Sequence, residues 1–279
     1  MDETANAPIG VFDSGVGGLT VLKALRERLP DEHLLYLGDT ARLPYGTKSP
    51  ASVLRYATQA TAHLRSRGVK MLVIACNTAS AVALAELQRA LAPLPIVGVV
   101  EPGASAAVRA RPGGRHLVLA TEATVRLGAY GRAICRLDAA AAVHERACEL
   151  MVAQAEEGWT RGPVAEAIIN AYLQPEFVGD DAYRPDSLIL GCTHFPILRE
   201  VIEKVLSGRI GAEVSVTDSA GTTASVVARE LDARGLARPA GDAGTTRLLA
   251  TDGARRFARV GGAFLGEALS ADDIELVDL

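Results

Sequence analysis

Cys76 and Cys192 are the two residues whose setting invites chemistry. Each follows an apolar run and a small residue, and each is followed by hydrogen-bonding residues that can open a helix: Met71 to Ala75 then Cys76-Asn77-Thr78, and Ser187 to Gly191 then Cys192-Thr193-His194. A helix N-terminus carries partial positive charge and favours a thiolate, lowering a thiol pKa from about 8.5. A free cysteine that only fills the core would sit more naturally inside the strand. Cys135, between Ile134 and Arg136, and Cys148, beside Glu149-Leu150, lack that strand-end setting and read as structural or incidental. None of the four lies in a CxxC pair, so zinc and thioredoxin-type readings have little support.

The neighbours of the two cysteines suit an α-amino acid. Ser14, Thr78, Thr193 and helix-start N–H groups can bind carboxylates, while Asp13, Asn77 and Glu156 can hold an ammonium. His194, beside Cys192, can take or deliver a proton and tune the thiol. Asp13, Thr78 and Thr193 read equally well as helix N-caps. The segment Asp13-Ser14-Gly15-Val16-Gly17-Gly18 lacks the Gly-Lys-Ser/Thr ending of a phosphate loop and the dinucleotide glycine spacing. Its glycines are expected to serve a tight turn and close helix–strand packing.

The elements that must position these groups alternate along the chain. Strands are expected at Ile9–Phe12, Leu34–Leu37, Met71–Ala75, Ile96–Val100, His116–Ala120, Ser187–Leu190, Glu213–Thr217 and Thr246–Thr251. Helices are expected over about Gly18–Arg28 and Ala51–Arg67, and from about Thr124 and Ile197. Such alternation indicates βαβ units and parallel sheets, with ligands bound where the strands end. Ile74-Ala75-Cys76-Asn77-Thr78 and Leu190-Gly191-Cys192-Thr193-His194 share one plan, and Asp13-Ser14-Gly15 weakly echoes Asp218-Ser219-Ala220. The expected architecture is α/β, with two pseudo-symmetric lobes, each a mainly parallel sheet flanked by helices. Residues 1–101 and 214–279 would form the lobe carrying Cys76, and 102–213 the lobe carrying Cys192.

Composition agrees with a globular enzyme. The 279 residues are 49% hydrophobic, 22% charged and only 4% aromatic, a mix that suits helices packed on both faces of parallel sheets. A net charge of −4 without long Lys/Arg runs argues against nucleic acid. The apolar stretch Met71–Ala85 is interrupted by Asn77, Thr78 and Ser80 and falls short of a membrane span. Met1–Pro8 has neither the cationic start nor the apolar run of a signal peptide, so the expected compartment is the cytoplasm.

Four motifs, in order along nearly the whole chain, resemble the glutamate racemase family. They are Gly10-Val11-Phe12-Asp13-Ser14-Gly15-Val16-Gly17-Gly18-Leu19; Gly38-Asp39-Thr40-Ala41-Arg42 with Pro44-Tyr45-Gly46; Ala75-Cys76-Asn77-Thr78-Ala79; and Gly191-Cys192-Thr193-His194-Phe195-Pro196. The resemblance implies a cleft between two lobes holding glutamate, no cofactor and no metal, and Cys76 and Cys192 as the acid/base pair. It implies substrate contacts at Asp13, Ser14, Tyr45, Gly46, Asn77, Thr78, Thr121, Thr193 and His194, with Asp39 and Glu156 as supporting acidic groups. A homodimer, and D-glutamate for peptidoglycan synthesis, are also implied, as is abstraction from the D isomer by Cys76 and from the L isomer by Cys192. The family usually has Gly in place of Ala120, commonly Ser in place of Leu127, and frequently Cys-Pro in place of Cys148-Glu149. Aspartate racemisation, or amino-acid binding without catalysis, are the alternatives on this scaffold.

Overall fold

The structure, a computed structural model, describes residues 4–177, 183–210 and 214–279. Ten strands and eleven helices alternate in it. The first lobe begins with β1 (Ile9–Asp13), α1 (Leu19–Arg28), β2 (Leu34–Gly38), α2 (Pro50–Ser66), β3 (Met71–Ile74), α3 (Asn77–Ala90) and β4 (Ile96–Gly98). Then come α4 (Val100–Ala110), β5 (Arg115–Ala120), α5 (Glu122–Arg126), α6 (Ala129–Leu137), β6 (Ala142–Ala147), α7 (Glu149–Glu156), α8 (Gly162–Leu173), β7 (Ser187–Gly191), α9 (Arg199–Ile210) and β8 (Ser215–Asp218). The chain closes with α10 (Ala220–Arg234), β9 (Thr246–Ala250), α11 (Ala254–Leu265) and β10 (Ile274–Leu276).

Two all-parallel sheets result, in the orders β10-β9-β2-β1-β3-β4 and β6-β5-β7-β8. Strands β1, β2, β3 and β7 are buried along their whole length, because helices cover both faces of each sheet. The pleat divides β1 between two cores: Ile9 and Val11 pack with Leu22 and Leu25 of α1, and Phe12 packs with Val53 and Leu64 of α2.

The two orders share a plan. In β2-β1-β3-β4, the chain leaves β1 on one side and returns on the other, and β6-β5-β7-β8 repeats this. Each sheet therefore has a switch point, between β1 and β3 and between β5 and β7, where ligand crevices form at strand C-termini. Cys76 follows β3 and Cys192 follows β7. The same plan equates β1 with β5 and β4 with β8. The weak echo of Asp13-Ser14-Gly15 in Asp218-Ser219-Ala220 therefore joins non-equivalent strands.

Three expectations need correcting. β8 continues the ladder from β7, pairing Ser187 with Ser215 through Leu190 with Asp218, so the second sheet runs past the expected border at 213/214. The return to the first lobe is made by α10, which packs along α1 and α4. Glu213, expected to begin β8, lies outside the described residues. The edge strands β6 and β10 escaped notice because both are partly exposed and lack a continuous apolar run. The helix expected from Ile197 is a 3-10 turn at Phe195–Leu198 leading into α9.

Candidate active site

Cys76 occupies the N-cap of α3, where its Sγ accepts the Ala79 N–H at 3.4 Å and donates to Ser14 Oγ at 3.5 Å. The helix start does not decide its acidity. Burial, reinforced by the Asp13 carboxylate, pushes the thiol up to about 12, outweighing the bonds to Ser14 and Ala79. That corrects the expectation of a lowered pKa: desolvating a thiolate costs more than one N–H and a helix dipole return.

Cys192 comes from the other lobe and is equally buried. Its Sγ lies 3.8 Å from His194 Nδ1, and His194 Nε2 lies 3.2 Å from Glu156 Oε1. Burial by itself would lower the imidazole pKa, but hydrogen bonds with Cys192 and Glu156 raise it to about 10. At neutral pH His194 is an imidazolium donating from both nitrogens. Burial likewise opposes the Glu156 charge, yet hydrogen bonds from His194 and Arg256 hold its carboxyl below the usual range. Arg256 Nη2 meets Glu156 Oε2 at 2.8 Å.

Both thiols line one narrow cleft, whose open volume is about 30 Å³. Eleven of the expected residues line it: Ser14, Tyr45, Gly46, Cys76, Asn77, Thr78, Thr121, Glu156, Cys192, Thr193 and His194. Asp13 and Asp39 stand one layer behind. Asp13 is fully buried; its Oδ2 accepts the Gly15 N–H at 2.9 Å, while Oδ1 has no partner. Burial raises its pKa, against the pull of His194 and nearby N–H groups. Asp39 accepts from the Tyr45 hydroxyl, from Arg42 Nε at 2.7 Å and from Thr251 at 3.0 Å. Burial, then Asp39, raise the Tyr45 pKa, so the phenol is neutral.

The capping alternatives are resolved locally. Thr78 lies inside α3 behind the capping Cys76, and its Oγ1 reaches across the cleft to Thr121 Oγ1 at 2.8 Å. Thr193 makes no side-chain cap, and its carbonyl accepts from Thr20 of the first lobe at 3.3 Å. Asp13 braces its own turn and keeps one oxygen free.

Several residues of the site were not anticipated. Leu43, Pro44, Glu149 and Val152 also line the cleft. Thr124 bonds Thr121 at 3.1 Å, and the Tyr130 hydroxyl donates to Asn77 Oδ1 at 2.7 Å, leaving Asn77 Nδ2 buried without a partner. Thr124 was legible as Thr121-x-x-Thr124, whereas Tyr130 and Arg256 reach the site only through the fold. Cys148 proves to have a strand-end setting after all, between β6 and α7. It is fully buried in the core and does not line the cleft.

Gly17 lets the lobes meet. A Cβ there would lie 2.5 Å from both His194 Nδ1 and Thr193 Oγ1. Gly17→Ala is expected to displace His194 and lower kcat/KM by about 100-fold, since a 1 Å misplacement can cost that much. Steady-state kinetics beside a melting curve tests this; unchanged turnover would mean the ring yields without consequence.

Two parallel-sheet lobes thus each bring a buried thiol to the cleft between them. Residues 9–227 match the family model described as Asp/Glu/Hydantoin racemase. The glutamate racemase of Geobacter metallireducens is 48% identical over 261 residues, 94% of this chain and 93% of that protein. Among solved structures, glutamate racemase from Thermus thermophilus in complex with β-chloro-D-alanine is 44% identical, with a TM-score of 0.84, covering 99% of this chain and 98% of that one. Glutamate racemase from Francisella tularensis in complex with D-glutamate is 35% identical, with a TM-score of 0.88 and 98% of each chain covered. The chain belongs to the Asp/Glu/Hydantoin racemase family, within its glutamate racemase group.

Proposed function

We propose that the protein interconverts L- and D-glutamate by direct proton transfer between Cys76, Cys192 and the two faces of the substrate α-carbon, without a cofactor. The observation that carries this reading is the approach of two buried thiols, one from each lobe, to a single narrow cleft. The α-hydrogen is a very weak acid, so its removal needs a base in contact and compensation of the developing charge. The unpartnered Asp13 Oδ1 suits the substrate ammonium. The unpartnered Asn77 Nδ2 and the hydroxyls of Ser14, Thr78, Thr121 and Thr193 suit its carboxylates.

The environments divide the starting roles. At neutral pH Cys76 rests as a thiol, whereas Cys192 lies against the His194 ring. Cys76 in that state can deliver a proton, and with Cys192 as the base this is the L to D direction in the family assignment. The reverse direction needs the opposite protonation, so each turnover leaves the site set for the other isomer. A substrate ammonium beside Asp13 offsets the charge that helps hold the Cys76 proton, easing that exchange. Such a product would feed cytoplasmic peptidoglycan precursor synthesis; among the described residues, no helix is long and apolar enough to cross a membrane.

Chiral chromatography of dialysed protein incubated with L-glutamate, and separately with L-aspartate, tests the reading. D-glutamate should accumulate to equal proportions with no added pyridoxal phosphate or metal. Turnover of aspartate alone, or of neither, would overturn it.

A further inference from the structure

His194 belongs to the second lobe but is held in a socket made by the first. The Gly17 backbone abuts one side of its ring, and Phe264 of α11 meets it edge-on, with centroids 5.2 Å apart. About two turns earlier on α11, Arg256 binds Glu156 Oε2, the oxygen not used by His194. Among the described residues, Arg256 makes the ion pairs that join α11 of the first lobe to α7 of the second, with Glu156 and more distantly Glu157. The chain of contacts therefore runs Arg256–Glu156–His194–Cys192, from one lobe into the other. Cys76 itself bonds Ser14 and Ala79 of its own lobe, and the second lobe reaches only its neighbours, through Tyr130 to Asn77 and Thr121 to Thr78 among the described residues.

We propose that Arg256 is a positioning residue for the Cys192 half of the reaction, making the His194–Cys192 alignment depend on closure of the lobes. This rests on the two-thiol reading and deepens it. When the lobes part to admit or release an amino acid, the Arg256 pair and the Phe264 contact break together, and Glu156 loses the anchor that directs Oε1 at His194. When they close, the anchor returns before proton transfer. The role is local to one thiol, because only that thiol is served by a histidine. Arg256 is 52% exposed, and exposed ion pairs contribute little to stability, so the effect belongs in turnover and not in melting temperature.

Equilibrium racemisation cannot report a one-sided effect, because the enantiomers are equal in energy and kcat/KM must match in both directions for any variant. Elimination can. With a leaving group on the substrate β-carbon, the thiolate takes the α-proton, the C–H electron pair forms the Cα–Cβ double bond, and the group departs with its bonding electrons. That step is irreversible and uses one base.

Arg256→Gln, Arg256→Lys and, as a control on the same helix, Arg255→Gln are to be assayed with the L and D forms of such a glutamate analogue. Cys76→Ala and Cys192→Ala identify which isomer each thiol serves. Arg256→Gln should slow elimination from the Cys192-served isomer about 10- to 100-fold, the range of a small misalignment, and leave the other isomer within about threefold. Arg256→Lys should recover most of the loss, and Arg255→Gln should show none. Equal slowing of both isomers, or of neither, overturns the role of Arg256 while the two-thiol reading stands. If the cysteine variants fail to separate the isomers, both are overturned.

Discussion

Cys76→Ala and Cys192→Ala should each reduce glutamate racemisation by about 10²–10⁴-fold, the usual contribution of a positioned general acid or base. At 1.36 kcal/mol per decade, that is roughly 3–5 kcal/mol of transition-state stabilisation from each thiol. The two losses should not add in the double variant. Either deletion already removes one half of a coupled proton exchange, and residues acting as a unit are grossly non-additive. Cys135→Ala, at an exposed site on α6, should leave turnover within a few fold. Cys148→Ala should also retain turnover, although its buried sulfur packs in the main core, so a lower melting temperature is expected. Initial rates and melting curves for all four variants provide the test. Comparable losses of activity at every position would mark the thiols as structural and remove the proposed mechanism.

The second large effect is a reversal of isomer preference between the two cysteine variants. Both should be nearly inert as racemases, since reprotonation has lost its donor or deprotonation its base. Elimination needs only deprotonation. Cys76→Ala should therefore eliminate from the L analogue through Cys192, and Cys192→Ala from the D analogue through Cys76. The reaction through Cys76 should also depend on pH. Burial pushes the Cys76 thiol up to about 12, so its thiolate fraction grows about tenfold per pH unit below that value. Elimination by Cys192→Ala should climb between pH 7 and 9. A shared preference for one isomer would refute placement on opposite faces. Reversed preferences would invert the direction of each thiol and keep the pair.

The short apolar runs were legible because helices cover both sheet faces, so buried strands need continuous Leu, Ile and Val with no polar alternation. Met71–Ile74 and Ser187–Gly191 announced themselves in this way, and with them the strand ends where Cys76 and Cys192 stand. Local hydrogen-bonding character also marked Ser14, Asn77, Thr78, Thr193 and His194, all of which line the cleft. The edge strands Ala142–Ala147 and Ile274–Leu276 carry too little apolar pattern to be read, since one side of an edge strand has no neighbour to bury it.

Residue order along the chain sufficed for what depends on neighbours a few positions away: strand, turn, helix start, and the chemical type of each side chain. It could not separate Cys148 from Cys76 and Cys192 on physical grounds. All three stand between a strand and a helix and pack in apolar cores, yet only Cys76 and Cys192 also line the cleft, a difference that the three-dimensional arrangement alone makes. Nor could it give the direction of the Cys76 shift, because helix-dipole stabilisation is local while desolvation comes from everything packed around the site. The socket around His194 is the extreme case. Gly17, Glu156, Arg256 and Phe264 lie far apart in the chain and meet only when two lobes close, since contacts of that range exist only after both sheets have formed and docked.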